Sequence, residues 1–191
     1  MTASAQDTAA AACMKRLVTA VGGSANAAQY LPLLIKACRN QQITDPSQLA
    51  YVLATAQHET DGFNSLVEYS GGQQYEGRKD LGNTQRGDGA RFKGRGFVQI
   101  TGRGNYQAFA NLLKIDFVGQ PDLAARPDFA AAITAIGMKR GSFTRMKLDD
   151  FLGNGKLDFV NARRIINGLD RADLIAGYAK TLYAILETCT P

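Results

Sequence analysis

The chain has 191 residues, 45% of them hydrophobic and 20% charged, which excludes a disordered segment and suits one compact unit that folds without staples. Lys and Arg number 22 against 17 Asp and Glu, a formal charge of +5, so polyanions such as nucleic acid, anionic lipid or acidic cell-wall polymer are weakly favoured as partners. The opening MTASAQDTAAAACMKRL carries Asp7 and has no basic segment ahead of an apolar one, and no run approaches the ~20 apolar residues of a membrane span. The expectation is synthesis in the cytoplasm without a signal peptide, no stable membrane insertion, and a monomer.

Residues 1–9 are expected to be flexible. Apolar groups at helical spacing predict helices over residues 10–21 and 26–39, broken by Gly22-Gly23. Asp45 can cap a third helix with Pro46 at its first position, running through Leu49, Val52, Leu53 and Ala56 until Asp61-Gly62 ends it. Residues 69–91 are rich in Gly and polar groups and nearly empty of aliphatic ones, the mark of a long functional or mobile loop. Phe92 to Thr101 predicts a strand pair or one bent strand, followed by a helix over Tyr106 to Leu113. Further helices are predicted over 127–140, near 146–152, and over 158–187 with a break at Asn167-Gly168. The fold class is therefore mainly α: a single catalytic domain, 1–191, with a small β element at its middle. Cys13, Cys38 and Cys189 are odd in number and lack metal spacing, which predicts three buried, reduced thiols.

Within that middle element, KGRGFVQI (residues 93–100) nearly matches an octapeptide that stacks RNA bases on a sheet. Arg95 and Ile100 stand where aromatic residues are required, and a chain of helices does not supply the four-stranded sheet such a site needs. A nucleic-acid partner is therefore not expected.

His58-Glu59, in AQHETDGF, resembles half of a zinc-protease motif, which needs a second His four residues on. Position 62 is Gly and His58 is the sole histidine, so a His-based zinc site is excluded and neither metal nor cofactor is expected. Glu59 lies three residues after Ala56 and seven after Val52, which puts it on the apolar face of its helix. A carboxyl placed there is harder to ionise, and a carboxylic acid that keeps its proton can donate it to a leaving oxygen. The alternative is a last-turn Glu that turns to solvent or pairs with a lysine. Cleavage of a glycosidic bond normally needs a second carboxylate. Glu68, where the chain enters the polar loop, is the leading candidate, with Asp61, Glu76, Asp80 and Asp88 as rivals.

With Glu59 placed, the ordered set AQHETDGF, VEYS, DLGNTQRGDGARFKGRGFVQITGRGNY and NARRIINGLDR resembles the family 19 glycoside hydrolases, in particular the chitinase-like lysins of bacteriophages and bacteria. The resemblance covers residues from about 47 to 180. It implies a lysozyme-like fold, two helical lobes around a cleft with a small β element on one wall. It also implies inverting hydrolysis of β-1,4 links in peptidoglycan or chitin. By this resemblance Glu59 matches the general acid, Glu68 the general base of the short-loop lysin members, and Thr101 the hydroxyl that helps hold the attacking water. Gln99, Asn105 and Tyr106 match sugar-touching cleft residues. Asn167 and Arg171 match the distal wall, where the arginine organises the carboxylates, and Tyr69 is assigned to substrate binding.

Two departures from the family pattern are visible. The chain has no Trp, and IINGLDR is shorter than the Gly- and Asn-rich turn of many members. The basic balance favours peptidoglycan strands, acted on at the wall after release from the cytoplasm, over chitin oligomers. A non-catalytic scaffold of the same fold is disfavoured by the presence of both Glu59 and Glu68.

Overall fold

The computed structural model describes residues 5–189. In chain order its helices are α1 (Ala5–Ala20), α2 (Ala25–Asn40), α3 (Pro46–Glu59), the short α4 (Asp88–Arg91), α5 (Arg103–Leu113), α6 (Pro127–Arg140), the short α7 (Leu148–Phe151) and α8 (Ala172–Leu186). One antiparallel pair, β1 (Leu152–Gly153) and β2 (Lys156–Leu157), sets Leu152 opposite Leu157. The mainly helical class expected from the sequence is observed.

The helix starts follow their capping chemistry. Ser24 Oγ accepts from the Ala27 N–H at 3.1 Å to open α2. Asp45 Oδ1 accepts from the N–H groups of Ser47 and Gln48 at 2.9 and 3.3 Å, with Pro46 just inside α3. Every residue of α3 from Ser47 to Ala56 is buried, so this helix runs through the core, packed chiefly along α8 while α2 packs along α6. Its last turn emerges from that core, which is what delivers Glu59 to a surface groove.

Apolar side chains gather in two clusters. The larger joins α1, α2, α3, α6 and α8 through Leu17, Leu31, Leu34, Leu53, Ala135 and Leu182. The smaller lies beneath α5 and contains Phe92, Val98, Ile100, Tyr106, Phe109 and Phe117. Phe97 belongs to the larger cluster, edge-on to Tyr30 and Phe63, so the 92–101 segment is pinned to both.

Several expectations are corrected. Residues 92–101 form no strand pair: Arg95 makes isolated bridges to Val67 and Ile100. Between the bridges, Gly96 and Gln99 take φ of 82° and 49°, and a turn this tight leaves too few residues for a ladder. The paired strands lie instead at 152–157, beside the short helix predicted near 146–152. The stretch 158–187 is a 3-10 turn, Asn161–Ile165, then α8 from Ala172. Residues 5–9 are helical; the first four residues of the stretch expected to be flexible lie outside the described residues.

The cysteine expectation also changes. Cys13 on α1 and Cys189 after α8 form a disulfide with Cα atoms 5.7 Å apart across 176 residues of chain; only Cys38 remains a buried free thiol, and burial pushes it up to about 12. Spacing along the chain carried no sign of this pair, because it follows from α1 packing beside α8.

Candidate active site

Glu59 closes α3 with its side chain 17% exposed, and Arg163 Nη1 donates to its Oε1 at 2.5 Å. Arg163 is itself buried, and its Nε donates to the Asp170 carbonyl at 3.0 Å. Glu59 Oε2 accepts no hydrogen bond among the described residues, so one oxygen is anchored and the other is free for a ligand. The neighbouring His58 is held below its usual range by burial first of all, partly opposed by the Glu59 charge, so it is a neutral ring at pH 7.

Glu68 sits in a different setting. Its Oε1 accepts from Ser70 Oγ at 2.6 Å, Tyr75 Oη at 2.9 Å and Gln74 Nε2 at 3.0 Å, and its Oε2 from the Gly94 N–H at 2.9 Å. Burial pushes this carboxyl up. The Ser70, Gly94 and Tyr75 donors and the Lys93 charge outweigh it, so the group is held below the usual carboxylate range. A Cβ at position 94 would stand 2.8 Å from Gln99 Oε1 and 3.1 Å from Glu68 Oε2; Gly94 is what lets the backbone N–H reach the carboxylate.

The 69–91 loop is the source of the three side-chain donors, Ser70, Gln74 and Tyr75, and its own hydrogen bonds fix it. Glu76 accepts from the N–H groups of Gly87 and Gly89 at 2.7 and 2.8 Å. Asn83 bridges the Tyr75 carbonyl and the Arg103 N–H. Asp88, 1% exposed, accepts from Thr84 N–H, Gln85 N–H and Arg103. Three rival acids thereby find other employment: Glu76 and Asp88 tie the loop, and Asp80 pairs with Arg78 at the surface. Asp61 is exposed and accepts from Tyr69 Oη at 3.4 Å.

Glu59, Asp61, Glu68, Tyr69 and Gln99 line one hollow of about 170 Å³. A second, of about 320 Å³, is lined by Gln99, Thr101, Asn105, Phe143, Ile166 and Asn167 among others. Gln99 borders both, so the hollows are neighbouring parts of one groove. Its backbone is left-handed rather than extended, and Thr101 Oγ1 donates to its carbonyl at 3.0 Å while Asn105 Nδ2 donates to the Thr101 carbonyl at 2.8 Å. Tyr69, 75% exposed, offers an open ring face at the rim. A larger hollow of about 560 Å³ around Arg86, Arg91 and Arg103 contains neither Glu59 nor Glu68, and its one acid, Asp88, is spent on Arg103.

Two site assignments do not survive. Tyr106 is fully buried: its hydroxyl donates to the Lys93 carbonyl at 2.7 Å and accepts from Arg95 Nη1 at 3.0 Å, and burial pushes it up to about 12. It cannot touch a sugar. Arg171 is exposed at the start of α8, and the guanidinium on the acid is that of Arg163. The signal for Arg163 was present in NARRIING, where one arginine precedes the Asn167 turn by four residues, but only the 3-10 turn at 161–165 reveals which arginine points inward.

No protein-family model matches the chain. A 45-residue segment, 24% of this chain and 17% of the other protein, is 47% identical to Chitinase 8 of Oryza sativa subsp. japonica. Chitinase C from Streptomyces griseus superposes with a TM-score of 0.63 at 18% identity, over 99% of this chain and 97% of that one. A bacterial family 19 chitinase superposes with a TM-score of 0.55 at 19% identity, over 90% and 93% of the two chains. The resemblance in fold is therefore observed along nearly the whole length: this chain has the lysozyme-like fold of those chitinases.

Proposed function

We propose that this chain is a glycoside hydrolase that cleaves β-1,4 bonds of peptidoglycan by inverting acid–base catalysis, outside the cytoplasm, as a lysin acting on bacterial walls. The observation that carries the reading is that Glu59 and Glu68 line a single hollow in contrasting settings. Glu68, saturated with donors, stays a carboxylate and can take a proton from water; Glu59, anchored through one oxygen, offers the other to the glycosidic oxygen as the bond breaks. In this reading Glu68 activates the attacking water and the Thr101 hydroxyl, whose own proton is committed to the Gln99 carbonyl, helps to hold it. Amides of Gln99, Asn105 and Asn167 and the Tyr69 ring supply sugar contacts. The names of the similar proteins support hydrolysis of an N-acetylglucosamine polymer.

The choice of wall polymer rests on the +5 charge, which suits an anionic sacculus, and on the Cys13–Cys189 bond, which persists in oxidising surroundings. The second reading, hydrolysis of chitin oligomers, is favoured by those same names. Purified protein mixed with isolated sacculi is expected to release soluble muropeptides, and mass spectrometry of their reducing ends identifies the bond cut. Release from chitin oligomers with none from sacculi would overturn the substrate; no release from either would overturn the reaction.

A further inference from the structure

The hollow of about 560 Å³ at Arg86, Arg91 and Arg103 shares no lining residue with the groove. The two are neighbours along the chain all the same, since Thr101 and Asn105 line the groove and Arg103, between them, lines the hollow. Arg103 and Asn105 lie two apart on α5, a spacing that puts side chains on different faces of a helix. The first turn of α5 is therefore the partition.

The wall of this hollow has its acceptors used up and donors to spare. Arg91 Nη2 donates to the Val118 and Gly119 carbonyls, both at 2.9 Å. Arg103 donates to Asp88 through Nε and Nη2, and to Gln85 Oε1 at 2.8 Å. Both guanidiniums also lie against the buried ring of Phe92, with Arg103 4.6 Å and Arg91 5.6 Å from its centre. Two cations thus share one ring, and Asp88 balances only one of them. Arg91 Nε and Nη1 and Arg103 Nη1 donate to nothing among the described residues, and Arg86 is exposed there with no ion-pair or hydrogen-bond partner. Two further acids stand at the edges without lining the hollow: Glu76 accepts from the Gly87 and Gly89 N–H groups, and Asp116 from the Gly119 N–H at 2.7 Å.

The volume falls in the range of about 300–1,000 Å³ usual for organic ligands, more than a lone ion fills. A guanidinium held by one edge presents its remaining N–H groups as a fork, which matches a carboxylate through two parallel bonds. We propose that this hollow binds carboxylates carried on branches of the polymer whose glycan lies in the groove, namely the peptide branches of peptidoglycan. The identity of that ligand rests on the reaction proposed above. A branch leaving the strand beside Asn105 crosses the first turn of α5 and meets the arginines. Chitin carries no carboxylate and leaves the hollow empty, so the site discriminates between the two polymers.

The test uses the full disulfide-bonded chain carrying Glu59→Gln, so that the polymer is not consumed, and measures co-sedimentation with isolated sacculi at one ionic strength. The sacculi are either native or have their free carboxyls converted to amides. Binding to native sacculi is expected to be about tenfold tighter than to amidated ones. Arg86→Gln and Arg91→Gln should each remove most of that difference, and Arg91→Lys, which keeps the charge without the fork, should recover only part of it. Lys180→Gln, on the exposed side of α8, removes one charge elsewhere and is expected to change nothing. Undiminished binding by both arginine-to-glutamine variants overturns the inference, as does an equal loss in Lys180→Gln, which would leave net charge as the cause. Tighter binding to a duplex oligonucleotide than to native sacculi would overturn the ligand. Release of muropeptides by the unsubstituted chain judges the reaction separately: release with undiminished binding in the variants sinks the inference alone, and release from chitin oligomers only sinks the reading on which its ligand rests.

Discussion

Arg163 donates to Glu59 at 2.5 Å although 104 residues separate them, so the carboxyl at the end of the central helix is oriented by a turn near the other end of the chain. Removing the guanidinium and removing the carboxylate should have different consequences. Arg163→Met leaves the partly buried Glu59 without its partner and is expected to cost about 3 kcal/mol of stability, together with most of the activity. In Glu59→Gln the amide oxygen can still accept from Arg163, so the midpoint of thermal unfolding should fall less while turnover drops by about 10²–10⁴. Calorimetry alongside kcat/KM separates the two; equal destabilisation by both variants would mean that the pair serves only the fold.

The donors around Glu68 predict a pH effect. A carboxyl whose folded-state value is depressed contributes stability above its unfolded value and loses it as pH falls through the folded one. By the same sign, a base held low stays competent on the acid side of the ordinary carboxylate range. Tyr75→Phe and Ser70→Ala each delete a donor to Oε1, so the acid limb of the kcat/KM profile is expected to move up in each variant. A limb that stays in place in both variants would contradict Glu68 as the base.

Much of this site was legible in the sequence, and the parts that were not share a cause. Glu59 could be found because its helix is local: Asp45 and Pro46 fix the start, the apolar spacing fixes the face, and Asp61-Gly62 fixes the end. Gln99 and Thr101 line one hollow, but the strand expected for their segment is absent, because apolar alternation does not reveal that Gly96 and Gln99 adopt positive φ. Arg163 and the Cys13–Cys189 pair depend on helices that meet only in three dimensions. Tyr106 illustrates the opposite error, since an aromatic near a sugar motif suits stacking as well as it suits the core, and only burial decides.

Gly94 offers a sharp local test. Any side chain there meets the Gln99 amide at 2.8 Å and the Glu68 carboxylate at 3.1 Å, and both belong to the groove. Gly94→Ala is expected to lower kcat/KM at least tenfold with a change in unfolding midpoint of only a few degrees. If activity is retained in that variant, the short contact from the 94 N–H to Glu68 is not what sets the base.

The disulfide gives a prediction independent of the groove. Cys13 and Cys189 close a loop of 176 residues, for which the chain-entropy expression gives about 5 kcal/mol, largely through restriction of the unfolded chain. Reduction, or Cys13→Ser, should therefore lower the denaturation midpoint substantially. Neither cysteine lines the groove, so turnover by the folded fraction at 25 °C is expected to stay near that of the oxidised chain. Denaturant titration with and without reductant measures the first quantity, and initial rates well below the midpoint measure the second. A reduced protein with unchanged stability would place the entropy loss elsewhere, in a denatured state already held compact by contacts between α1 and α8.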